Sequence, residues 1–243
     1  MKKTNSILSG AIFFLSISSA YAKDSSGFYL EVFGGIAKES TRGSPEPGSA
    51  TSGKYFTGKS RDVDLDSNKI FGARGGYRVS DNFRFDISYY DASSKLEWMT
   101  DFSGCCTSRF TADIDSKIYL LNAYYNFITN TNYSPYLGLG VGQSRNKFKS
   151  GKEYFDGKLV LGADLSSNTE TALSYRLAVG TDYFFTENLL LNVDLSLMNL
   201  GDASSGSSSK KGPIDGHETE KIGAYEFKNI WLSTLTISLK YYF

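Results

Sequence analysis

The 243-residue chain carries 26 Lys and Arg against 26 Asp and Glu, a formal net charge of zero, so no nucleic-acid patch or charged tail is implied. Charged residues make up only 21% while aromatics reach 15%, mostly Tyr and Phe. Beyond Ala22 no apolar run is long enough for a helix to cross a bilayer, so a membrane form of this chain has to be a closed sheet, the other structure that satisfies every backbone group in hydrocarbon.

In chain order, Lys2 and Lys3 open the sequence, Ile7 to Ile17 form a short apolar core, and Ala20-Tyr21-Ala22 fits a small-x-small cleavage site. That is the layout of a secretory signal peptide, and the apolar stretch falls short of the roughly 20 residues a spanning helix needs. Residues 1–22 are therefore expected to be removed, leaving residues 23–243 as one domain. Losing Lys2 and Lys3 from the 26 basic residues leaves 24 against 26 acidic ones, a near-neutral chain. With no cysteine near the cut, a lipid anchor is not expected.

Eight segments then alternate with period two, each close to the roughly 9 to 11 residues of a tilted spanning strand. Phe28, Leu30, Val32 and Ile36 oppose Tyr29, Glu31, Phe33 and Gly35. Phe71, Ala73, Tyr77 and Val79 oppose Gly72, Arg74, Gly76 and Arg78, and Phe83, Phe85, Ile87 and Tyr89 oppose Arg84, Asp86 and Ser88. Lys117, Tyr119, Leu121, Ala123, Tyr125 and Phe127 oppose Asn122, Tyr124 and Asn126, and Leu137, Leu139 and Val141 oppose Gly138, Gly140 and Gly142. Leu173, Tyr175, Leu177 and Val179 oppose Ser174, Arg176, Ala178 and Gly180, while Leu189 to Leu197 opposes Asn192, Asp194 and Ser196. The chain ends on Leu235, Ile237, Leu239, Tyr241 and Phe243, alternating with Thr236, Ser238, Lys240 and Tyr242.

The connections give the topology. Ser80-Asp81-Asn82, Thr129 to Ser134 and Thr186-Glu187-Asn188 are short, whereas 39–69, 92–113, 148–170 and 199–229 are long and rich in Gly, Ser, Lys and Asp. Long links alternating with short ones predict an all-β, eight-stranded antiparallel transmembrane up-and-down β-barrel with long extracellular loops and periplasmic termini. A ten-stranded ring is the alternative if Tyr55 to Leu65 or Tyr154 to Leu165 enters it; otherwise those residues extend strands above the membrane. The stretches 77–87 and 183–193 align without gaps, two aromatic-flanked hairpins turning on a Ser/Thr-acid-Asn triplet.

An eight-stranded interior is just wide enough for side chains to fill it. The inward face offers Glu31, Arg74, Arg78, Arg84, Asp86, Arg176, Asp182, Asp194 and Lys240. Buried there they must pair, and interior width favours a structural ionic plug over a gated ion path.

No catalytic set, metal site or cofactor motif stands out. His217, between Asp215 and Glu218 in the fourth long loop, is the lone histidine and reads as solvated rather than as a general base. The adjacent Cys105 and Cys106 lack further ligands for a metal. Gly138-x-Gly140-x-Gly142 has strand period and does not lead into a helix, so it is not a phosphate loop; its glycines make room for inner side chains. Loop residues Arg42, Lys54, Lys59, Arg61, Tyr55 and Phe56, with Lys147 to Lys158 in the third loop, mix basic and aromatic groups. They suit an acidic polysaccharide, a host protein or the surrounding lipopolysaccharide.

The signal peptide, Gly27-Phe28-Tyr29-Leu30, Ser134-Pro135-Tyr136-Leu137-Gly138-Leu139-Gly140-Val141-Gly142 and the closing Tyr241-Tyr242-Phe243 together resemble the small bacterial outer-membrane barrels grouped as opacity-protein-like surface antigens, with the OmpX-like and OmpA-like eight-stranded barrels. The resemblance implies a Gram-negative outer-membrane location. It also implies that Leu235, Ile237, Leu239, Tyr241 and Phe243 form an insertion signal read by the barrel-assembly machinery. The expected role is a non-enzymatic surface protein, structural or adhesive through its loops, with membrane lipid, lipopolysaccharide and a host protein or glycan as partners. A narrow channel for small solutes or hydrophobic molecules is the alternative, and a lipid-modifying enzyme using His217 the remote one.

Overall fold

The computed structural model describes residues 26–41, 46–47, 58–65, 68–102, 107–127, 132–159, 165–206, 208–209, 221–222 and 224–243. Among them, eight long strands form a ring: β1 (Gly27–Ser40), β2 (Asn68–Arg78), β3 (Phe83–Phe102), β4 (Thr107–Asn126), β5 (Tyr133–Phe148), β6 (Asn168–Phe184), β7 (Leu189–Asn199) and β8 (Trp231–Tyr242). Each pairs antiparallel with its sequence neighbour, and β1 pairs with β8 from Tyr29↔Tyr242 to Ser40↔Trp231, which closes the sheet and removes its edges. Residues 1–25, with the expected export signal, and residues 103–106 and 210–220, with Cys105, Cys106 and His217, lie outside the described residues.

Over the lower two thirds of the ring the outward positions are apolar and uncovered. Leu30, Ile87, Leu139, Leu173 and Ile237 are each more than half exposed, a continuous belt that water would penalise and lipid would not. Aromatic pairs bound it: Phe28 with Tyr77 and Phe83 with Tyr125 at the turn end, Tyr89 with Tyr119 and Tyr175 with Trp231 at the other. This is the girdle arrangement of a barrel in a bilayer.

The two turns that echo each other in sequence use one device. Ser80 and Thr186 accept bonds from backbone amides of their own turns. Asn82 and Asn188 each donate a side-chain bond to the next strand over, at Asn126 O (3.0 Å) and Tyr242 O (2.9 Å).

The largest departure from expectation is at residues 92–113. Residues 92–102 and 107–113 are strand, because β3 and β4 run 20 residues each, about twice the span a membrane needs, and rise as a two-stranded arm. Strand Gly58–Leu65 pairs with the outer edge of β3, and strand Lys152–Phe155 with that of β4. The second of these folds back through Asp156 and Gly157, both with positive φ (47° and 72°), onto Lys158–Leu159, as a two-residue hairpin turn requires. These segments extend the sheet above the ring, which stays at eight strands.

Candidate functional site

Four cations and four carboxylates are buried in the lower half of the lumen: Arg74, Arg84, Arg176 and Lys240 with Glu31, Asp86, Asp182 and Asp194. The set carries no net charge, and six of the eight strands, all but β4 and β5, contribute its ions at inward positions that recur every second residue. Arg74 binds Glu31 at 2.8 Å, Arg176 binds Asp194 at 2.6 Å, and Lys240 bridges Asp182 at 2.8 Å to Glu31 at 3.6 Å. Arg84 also pairs with Asp182.

Neutral donors complete the network. Tyr136 donates to Asp194 (2.7 Å), Asn192 to Asp182 (2.7 Å) and Ser238 to Glu31 (2.6 Å). Among the described residues Asp86 has no direct ion pair; it accepts from Tyr29 (2.9 Å) and Asn122 (2.6 Å) instead. The Arg84 guanidinium lies 4.5 Å and 4.4 Å from the Tyr124 and Tyr136 ring centres, a geometry that offsets part of its desolvation.

Glycines provide the space. A Cβ on Gly138 would stand 2.7 Å from the Tyr124 ring, one on Gly76 would stand 2.6 Å from the Tyr29 ring, and Gly180 faces the Tyr136 hydroxyl. The glycine-rich β5 is thus the wall against which the large inner side chains close.

Above the ions the lumen turns apolar. Trp98 stacks on Phe110 (5.3 Å) and meets Tyr225 and Phe227 edge-on, with Phe148, Ile114, Ile118 and Leu232 around them. Tyr225 and Phe227 come from the connection between β7 and β8, which runs back over the mouth. Asn146 donates to Leu200 O (2.7 Å) and Asp202 O (3.0 Å), Ser205 pairs with Tyr225, and Tyr225–Phe227 pairs in turn with Glu46–Pro47 of the first connection. Tyr225 reaches Thr100 at 3.2 Å, and burial pushes its hydroxyl above the usual range. The mouth is therefore capped by the chain's own loops.

The outer face of the arm, beyond the belt, is polar. Arg61 grips Asp101 through two nitrogens (2.7 and 3.3 Å) and, with Thr107, holds that carboxyl below its usual range. Arg109 pairs with Glu97 at 3.6 Å and covers the Tyr154 ring.

Of the inward ions expected from sequence, Glu31, Arg74, Arg84, Arg176, Asp182, Asp194 and Lys240 meet directly and Asp86 joins through Tyr29 and Asn122. Arg78 does not belong with them. It lies at the turn-end rim, half-buried, bonded to Asp81 at 2.7 Å, because β2 ends there and water reaches its guanidinium. Leu235, Ile237, Leu239, Tyr241 and Phe243 all face outward. Reading charges alone missed Tyr29, Tyr90, Tyr124 and Tyr136, although they share the inward parity that located the ions. It also missed the cap, whose signal was the alternation Ser94, Leu96, Trp98, Thr100 within a stretch that reads as a loop.

The family described as outer membrane protein beta-barrel domain matches residues 7–243, while none of the curated proteins matches the chain. Among solved structures, the outer membrane protein OprG from Pseudomonas aeruginosa is similar with a TM-score of 0.53 at 20% identity, covering 88% of this chain and 96% of its own. Neisserial surface protein A gives 0.45 at 18% identity, covering 90% and 99%. The ring, the lipid-facing belt, the alternation of short turns with long connections and a match over nearly the whole length agree: this chain belongs to the outer-membrane β-barrel protein family and resides in the outer membrane.

Proposed function

We propose that the protein is a non-enzymatic surface barrel, structural or adhesive, that works through the sheet above the membrane. The observation carrying this reading is a lumen filled along its length, by the balanced ion network below and the Trp98 aromatic cluster with its loop cap above. What remains open to a partner is the arm of β3 and β4 with its flanking strands, whose outer face offers Arg61, Lys95, Arg109 and Tyr154 beside Asp101 and Glu97. Mixed charge with aromatic surface suits a host protein or an acidic glycan. In this reading residues 1–22 direct export, and the outward face Leu235 to Phe243 is the signal taken up by the barrel-assembly machinery.

The test is binding of intact cells displaying the protein to panels of host proteins and glycans, with the arm tip and each long connection deleted in turn. Loss of binding on shortening the arm is expected; retention through every deletion would leave a structural role only. Planar-bilayer recording addresses the channel alternative, for which the filled lumen predicts no steady conductance. Activity lost on His217→Ala would overturn the non-enzymatic reading.

A further inference from the structure

We propose that Glu39 is a protonation latch on the mouth of the barrel: while its carboxyl is neutral the loop cap stays shut, and ionisation draws water in and lifts the cap. Glu39 is the penultimate residue of β1, faces inward and is 3% exposed. It stands eleven residues beyond Phe28 of the turn-end girdle, past the roughly 9 to 11 that carry a tilted strand across the hydrocarbon. Neither carboxyl oxygen has a hydrogen-bond partner among the described residues, and the hydroxyl of nearby Ser94 on β3 is unbonded as well. A bare carboxylate in such a place is far costlier than the neutral acid.

Among the described residues, no element around Glu39 offers it a cation. On β1 and β2 the next inward ions are Glu31 and Arg74, which hold each other eight residues lower, about 26 Å at strand rise. Tyr90 of β3 is committed to Arg74 at 3.1 Å. β8 sets Leu232 opposite Glu39, and its Lys240 is engaged by Asp182 and Glu31. Strand Gly58–Leu65 exposes Lys59 and Arg61, the latter bound to Asp101. In the cap, Tyr225 reaches Thr100, and Glu226 is exposed beside Lys228. Glu153, the other buried acid of the upper lumen, accepts from Ser108 at 2.7 Å, and Glu170 of β6 accepts from Ser204.

The route for water to Glu39 runs through the cap. Below lies the filled ion network, and around it the closed sheet. β1 ends one residue later in the first connection, whose Glu46–Pro47 pairs with Tyr225–Glu226, and Leu232 shares a buried cluster with Tyr225, Phe227 and Ile230. Hydrating the charged carboxyl therefore means parting the cap from β1 and β8.

Burial raises the Glu39 pKa from an ordinary 4.5 to about 7, with Ser94 opposing. Closure is then complete below pH 4.5, where the open and shut forms are both protonated. It weakens as pH rises towards 7, by up to about tenfold per pH unit, and is level above, where both forms are ionised.

The test is hydrogen exchange of the full barrel refolded in lipid vesicles, from pH 5 to pH 9, with protection taken relative to the intrinsic rate at each pH. The reporters are the amides of Ser205, Tyr225 and Ile230, which bond Tyr225 O, Ser205 Oγ and Gly201 O. Their protection should fall roughly 50- to 100-fold between pH 5 and pH 8 and then hold steady, while amides of 191–197 in the ring keep theirs throughout. Acrylamide quenching of Trp98, read in Trp231→Phe, should rise over the same range. Glu39→Gln, which cannot ionise, should hold the cap shut at every pH with both readouts flat. Cap protection in the native protein that is flat from pH 5 to pH 8 would overturn the proposal without recourse to any variant. A pH dependence that survives in Glu39→Gln would overturn it too, by assigning the effect to another group.

Discussion

Replacing Arg84 by Met removes the cation that pairs with Asp182 and fills the space between Tyr124 and Tyr136. Breaking one side of a buried pair costs about 3 to 5 kcal/mol. Asp182 keeps Lys240 at 2.8 Å and Asn192 at 2.7 Å, which pulls the electrostatic loss to the low end. The two lost ring contacts, roughly 0.5 to 2 kcal/mol each, bring the total to about 4 to 7 kcal/mol. The double variant Arg84→Met/Asp182→Asn leaves three buried cations facing three carboxylates and should lose less than the single one, a negative coupling that only a shared charge balance produces. Urea unfolding of the barrel refolded into lipid vesicles, followed by tryptophan fluorescence, measures both. A single variant as stable as the native barrel, or a double variant additive with its singles, would refute the reasoning. Appearance of a conducting channel in Arg84→Met would refute the packing half of it, since Tyr124, Tyr136 and the glycine-backed wall still fill the lumen.

Other consequences follow from the same geometry. Tyr225→Ala should release the loop cap at a cost of about 3 kcal/mol or more for a buried aromatic, read as protease cleavage in 200–230 while the ring stays folded. Gly138→Ala places a methyl 2.7 Å from the Tyr124 ring and should lower the unfolding free energy by about 1 to 3 kcal/mol as overpacking does. The same change at Gly157, whose Cβ would meet nothing within 4 Å, is governed by its φ of 72° alone. The Asp101 carboxyl is depressed by Arg61, so the clasp between strand Gly58–Leu65 and β3 is fully present above the unfolded carboxylate range and is lost as pH falls through Asp101's own lower value. The hydrogen-exchange protection of 58–61, taken relative to the intrinsic rate at each pH, should therefore fall in acid and stay flat from pH 6 to 8; the reverse trend would remove Asp101 from the explanation.

The ring was legible because lipid imposes a strict code. Outward Phe28, Leu30 and Val32 against inward Tyr29, Glu31 and Phe33 leave one register, and a slip by one residue would put Glu31 in hydrocarbon. The arm escaped the same reading because the code reverses above the belt. There water lies outside and the cap inside, so Lys95, Glu97 and Asp101 point out while Leu96, Trp98 and Phe110 point in. The parity is unbroken along β3, but a reader expecting apolar residues outward sees a charged loop.

From the sequence alone come the eight crossings, their order, the closing partner strands and the sign of each inward charge, since period-two alternation and connection length are local properties of the chain. Which cation meets which carboxylate was decided only across the lumen. Arg84 reaches Asp182 from 98 residues away, and Tyr225 seals Thr100 from 125, contacts fixed by ring closure and stagger rather than by neighbouring residues.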